Sequence, residues 1–184
     1  MVSGSAEQSD LRPTLFRIGG LGILVLLLDR LVSWAVTESL GPDAERHSWW
    51  LIGDAVGLEY VRNTGAAFGL FRGNPEMLAA VSILVCVGFV WLILVEMSHT
   101  MWAVLAAGLL VGGALGNLLG RVMDGYVTDY IAVGPWPRFN VADSAITVGV
   151  VIFGASILFG HERDGSTVRA DEEVNGEGGA QHGG

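Results

Sequence analysis

The chain has 184 residues, 51% of them apolar and only 16% charged, with 27 glycines and a formal net charge of −9. That composition is too apolar for a soluble domain of this length, and an acidic balance without any basic patch argues against nucleic-acid binding. A lone cysteine, Cys86, excludes an intrachain disulfide and a cysteine metal cluster, and His47, His99, His161 and His182 lack ligand spacing, so neither a metal nor a cofactor is expected.

Residues 1–14 read as an N-terminal tail, and a first membrane span is expected over about residues 16–40. A cleaved signal peptide is disfavoured because no small-residue cleavage site follows Leu28 and the hydrophobicity resumes beyond Asp29 and Arg30. Asp29 reads as a structural group, in an ion pair or a helix-to-helix hydrogen bond. Adjacent helical residues point about 100° apart, so Asp29 and Arg30 are expected to find different partners. The following loop, about 41–76, contains "VGLEYVR", whose partial alternation before a Gly- and Ala-rich turn predicts a short strand or small sheet. Trp49 and Trp50 near the membrane exit, and Trp136 between two prolines, fit interfacial anchoring and loop packing equally well.

Met77–Val95 and Met101–Leu119 each run for nineteen residues without a charge. At a rise of about 1.5 Å per residue, such a helix crosses roughly 30 Å of hydrocarbon. Spans are therefore assigned to about 77–95 and 101–120, joined by a tight turn at Glu96–Thr100. Cys86, in the middle of its span, reads as a small packing residue. Gly112, Gly116 and Gly120 recur at four-residue spacing, a stripe that lets neighbouring helices approach closely. Asn117 and Arg121 share a helical face at the mouth of that span. A fourth span, about 142–160, holds Asp143 near its start, and residues 161–184 read as a disordered acidic tail. The fold class expected is an all-α membrane protein of four transmembrane helices, with a small extracytoplasmic β-containing loop domain between the first and second.

With four spans, the loops at about 41–76 and 120–141 face one side and both termini face the other. The string "VRNTGAAFG" then lies on the same face as Arg121, Asp129, Asn140 and Asp143. Arginines of the two sides nearly balance, so charge does not set the orientation. Asp129 in "GYVTDYIAV" and Asp143 in "RFNVADSAI" sit where hydrocarbon meets water, a costly place for a carboxylate and by default a functional one. Two carboxyls close together in a poorly hydrated site cannot both ionise, so they share a proton and offer an acid and a base at once. The competing reading is a small cation or proton transporter relaying through Asp29, Asp129 and Asp143. It expects acids distributed at midspan, and only Asp29 reads as deep.

Five strings in order, "LDR", "RNTGAAFG", "GNLLGR", "GYVTDYI" and "FNVADSAI", resemble lipoprotein signal peptidase (signal peptidase II), the membrane aspartyl peptidase of bacteria, from about Leu28 to Ile146. The resemblance implies a catalytic dyad at Asp129 and Asp143, substrate positioning by Asn63, Asn117, Arg121 and Asn140, and supporting roles for Asp29 and Gly65. It implies cleavage of a diacylglyceryl-modified prolipoprotein at the outer face of the cytoplasmic membrane, with membrane lipid as the surroundings, both termini in the cytoplasm, and a monomer sufficient for activity. The chain departs from the family pattern at Gly120, where an aspartate usually precedes the arginine, and at Ser33, which replaces a lysine. Asp124, one helical turn beyond Arg121, is the substitute partner expected for that guanidinium.

Overall fold

The computed structural model describes residues 11–65, 100–156 and 158, together with scattered helical positions between Met77 and Val95. The readings for residues 1–10, 66–76, 96–99 and 161–184 lie outside the described residues.

Helix α1 (Leu11–Leu40) begins inside the stretch assigned to the tail. Pro13 permits this, because the first turn of a helix has no use for its own N–H groups. Helix α2 (Met101–Asp124) starts at Thr100, whose hydroxyl accepts from Ala103 N at 3.1 Å. It runs past the predicted end at residue 120 because the left-handed stop is Gly125, with φ of 78° and its N–H donating to Arg121 O. Helix α3 covers Val141–Ser156. The helices meet along small residues: a Cβ at Gly108 would lie 2.7 Å from the Leu21 side chain, and one at Gly113 would lie 2.5 Å from Ala142 O. The apolar core between them is Ile18, Ala103, Val104, Ala106, Ala107, Leu110 and Phe153.

Three antiparallel strands, β1 (Ser48–Ile52), β2 (Val56–Asn63) and β3 (Val127–Val133), form one sheet in the order β1-β2-β3. The expected sheet in the first loop is present, but it takes its third strand from the loop that carries Asp129. The β-branched and aromatic residues of "VTDYIAV" suit that strand, and pairing with β2 satisfies backbone groups that the hairpin alone would leave open. The pairing also brings the two loops to the same end of the helices. Val36 and Leu40 of α1 pack on Tyr130 of β3, with Leu58 and Tyr60 of β2 beside them, so the last turns of α1 support the sheet.

Outward, α1 exposes Phe16, Leu24, Leu27, Leu31 and Trp34. An apolar face of that extent belongs against hydrocarbon, and α2 is long and apolar enough to cross a membrane.

Candidate active site

The first turn of a helix presents N–H groups that have no partner within it. In α3 three different elements supply acceptors. Val141 N donates to the Tyr130 hydroxyl at 3.2 Å, Ala142 N to Asp29 Oδ1 at 3.0 Å, and Asp143 N to Asn140 Oδ1 at 2.8 Å. Asn140 is the N-cap, and Asp143, three positions on, returns the bond by accepting from Asn140 N through Oδ2 at 3.3 Å. This is a reciprocal capping box built around a candidate catalytic carboxylate.

The Asn140 amide has a second task. Its Nδ2 donates to Asp129 Oδ1 and to Asn117 Oδ1, both at 3.1 Å. Asn117 Nδ2 in turn donates to Asp143 Oδ1 at 2.8 Å. On the far side, Asn63 Nδ2 donates to Asp129 Oδ2 at 2.8 Å, and Gly65 N holds Asn63 Oδ1 at 3.0 Å. Three asparagines from β2, α2 and the start of α3 thus link the two aspartates into one network, buried at Asn117, Asp129 and Asn140. Asp129 is only 3% exposed. Burial and the nearby Asp143 charge push its carboxyl up to about 7, against the opposing pull of Asn63, the Arg121 charge and Asn140.

The structure brings together Asn63, Gly65, Asn117, Asp129, Asn140 and Asp143 as the sequence suggested. Arg121 is oriented by its own helix, donating from Nη1 to Asn117 O at 3.2 Å, and acts on Asp129 through its charge. Asp29 makes the expected helix-to-helix bond, to Ala142 N, but two expectations around it fail. Arg30 pairs with its own neighbour: its flexible stem folds back, placing Nη2 3.1 Å and Nε 3.3 Å from Asp29 Oδ2. Asp124 does not serve Arg121. It faces Arg30 Nη1 at 3.6 Å. Nor is Asp29 a deep outlier, since its bond to Ala142 places it level with the first turn of α3.

Neither the Tyr130 hydroxyl at the start of α3 nor the bond of Arg30 to Asp29 was expected from the sequence. Tyr130, 1% exposed, carries no motif that distinguishes it from a packing aromatic, and burial pushes its phenol up to about 12. Arg30 could have been suspected from its position beside Asp29, but not its direction. Cys86 donates to Leu110 O at 3.7 Å, as a packing thiol would. Among the described residues, no three His, Cys, Asp or Glu side chains are grouped to hold a metal ion.

Apolar helices around buried carboxylates, with a small sheet at one end, have the architecture of a membrane enzyme. A solved bacterial membrane enzyme shares it with a TM-score of 0.67 and 25% sequence identity, over 81% of this chain and 89% of that one. The chain belongs to the signal peptidase II family, whose profile matches residues 21–159. The family consists of aspartic peptidases that process bacterial prolipoproteins. The lipoprotein signal peptidase of Rhodococcus jostii is 39% identical over 89% of this chain and 84% of its own length. That of Syntrophomonas wolfei is 38% identical, over 80% and 97% respectively.

Proposed function

We propose that this chain is an aspartyl endopeptidase that cuts diacylglyceryl-modified prolipoproteins at the outer face of the cytoplasmic membrane, using water activated between Asp129 and Asp143. The observation that carries the reading is the Asn140 bridge, which bonds Asp129 through its amide and Asp143 through its backbone N–H. A residue that bonds both carboxylates keeps them in one site, which supports their joint action on a single water.

The chemistry follows from a pair that holds one proton. The ionised carboxylate takes a proton from the water as its oxygen attacks the scissile carbonyl carbon. The protonated partner hydrogen-bonds the carbonyl oxygen and then delivers its proton to the leaving amine as the C–N bond breaks. Each carboxyl has exchanged its state, and one proton remains on the pair. Because the pair titrates as a unit, neither aspartate is singled out as the initial base. Asn63, Asn117 and Asn140 keep the carboxylates fixed, so little reorganisation accompanies the charge movement. Arg121 supplies a positive charge at the same end of the helices, suited to a carbonyl or ester oxygen of the substrate. The acyl chains of the substrate remain in the bilayer and deliver the lipidated cysteine at a fixed depth.

This reading takes the chain to cross the membrane four times as a monomer, with both termini cytoplasmic and the sheet outside. A cation or proton relay through Asp29 fits less well, because both Asp29 oxygens are already engaged, by Ala142 N and Arg30. The test is cleavage of a diacylglyceryl-modified prolipoprotein by purified protein in lipid or detergent, with Asp129→Asn and Asp143→Asn alongside. The parent is expected to release the signal peptide and each variant to be inactive. Near-normal cleavage by either variant overturns the assignment.

A further inference from the structure

Gly116 and Gly120 do more than let helices approach. A Cβ at Gly116 would lie 2.8 Å from Asp29 Oδ2, and one at Gly120 would lie 3.3 and 3.4 Å from Arg30 Nη2 and Nη1. The same atom at Gly120 would lie 3.1 Å from Tyr126 O. The two glycines therefore form a slot on α2 into which the Asp29–Arg30 pair is set. The Asp29 side chain is fully buried there, the Arg30 side chain is 22% exposed, and Asp124 at the outer end is 48% exposed.

The bonds along the slot form a chain. Asp124 faces Arg30 Nη1, Arg30 Nη2 and Nε hold Asp29 Oδ2, and Asp29 Oδ1 accepts from Ala142 N. Ala142 is the residue immediately before Asp143. We infer that Arg30, seated over Gly120 and anchored by Asp124, is a positioning residue that sets the first turn of α3, and with it the Asp143 carboxylate, through Asp29. The inference rests on the Asp129–Asp143 reading.

The physical argument is one of orientation. A carboxylate bonded on one oxygen only can swing about its χ angles, whereas Asp29 is held from both sides and offers Ala142 N a fixed acceptor. Arg30 is also suited to the task by reach, since its planar fork engages Asp29 with two nitrogens while the third faces Asp124. Loss of the fork loosens the acceptor, and a displacement of Asp143 by a fraction of an ångström acts on the chemical step more than on substrate capture.

The experiment measures kcat and KM for a diacylglyceryl-modified prolipoprotein with full-length Arg30→Gln, Arg30→Lys, Asp124→Ala, Asp29→Asn and the double variant Arg30→Gln/Asp29→Asn. Arg30→Gln is expected to lower kcat about 10- to 100-fold, the scale of a small misplacement at a reacting centre, with KM within about twofold of the parent. Arg30→Lys should recover part of the loss. In the Asp29→Asn background the Arg30 substitution should have no further effect on kcat, because its action passes through Asp29. An unchanged kcat in Arg30→Gln, or losses that multiply in the double variant, overturns the inference. If Arg30→Gln fails to accumulate, Asp124→Ala decides: a lowered kcat at unchanged KM supports the chain of contacts, and parent-like kinetics refute it. Activity surviving in Asp129→Asn or Asp143→Asn would instead refute the dyad, so the two failures are distinguishable.

Discussion

Asn140 performs two separable tasks, and substitutions can divide them. Its side chain caps α3 through Asp143 N, and its amide bridges Asp129 to Asn117. Replacing an N-cap asparagine by alanine costs about 1 kcal/mol. The bridge adds more, because Asn140 is fully buried and its loss strips a donor from both Asp129 and Asn117 Oδ1. A buried acceptor that loses its donor costs about 1–3 kcal/mol, and because Asn63 still donates to Asp129 the sum for Asn140→Ala is about 3 kcal/mol. Asn140→Ser keeps a capping oxygen without the bridge, so it should recover about 1 kcal/mol of stability and little of the rate. Removing the bond to Asp129 also withdraws support from its charged form, which moves its titration upward. Thermal unfolding in detergent micelles and the pH dependence of kcat with lipidated substrate read all three effects. Equal stability and equal kcat in Asn140→Ala and the parent would refute the account of the network, as would full recovery of rate in Asn140→Ser.

The pH profile of the parent follows from Asp129, whose carboxyl is raised to about 7. A raised carboxyl keeps its proton below that value and loses it above, so kcat/KM should decline as the pH rises through about 7, when the pair loses its shared proton. A rate still climbing well above that range would contradict it. Tyr130→Phe removes the acceptor of Val141 N at a site 1% exposed, and unfolding should show a loss of about 1–3 kcal/mol. Gly116→Ala places a Cβ against Asp29 Oδ2, and overpacking of this kind should destabilise by about 1–3 kcal/mol and lower kcat. Parent-like melting and turnover in Gly116→Ala would show that the slot has slack. A protein ending near His161 should retain cleavage activity, since the acidic, glycine-rich tail has little apolar surface to bury, and loss of activity with normal membrane accumulation would reveal a role for it.

By itself the sequence determined the long apolar helix Met101–Asp124, the strand propensity around "VGLEYVR", and the presence of two aspartates in polar strings between apolar blocks. These features are local: hydropathy over a helical window and the cost of a carboxylate near lipid need no partner to be read. The two loops were expected on one face, and they meet in the pairing of β2 with β3. Tertiary structure alone decided that the Asp129 segment is itself a strand, that Asn140 belongs to both carboxylates, and that Tyr130, Asp29 and Asn140 each accept from the first turn of α3. It likewise redirected Arg30 to Asp29 and Asp124 to Arg30, against expectations drawn from helical angles and from spacing along α2. A long side chain can fold back across the 100° between neighbours. Which carboxylate it meets depends on the helix packed opposite, here a helix whose glycines leave room for the guanidinium.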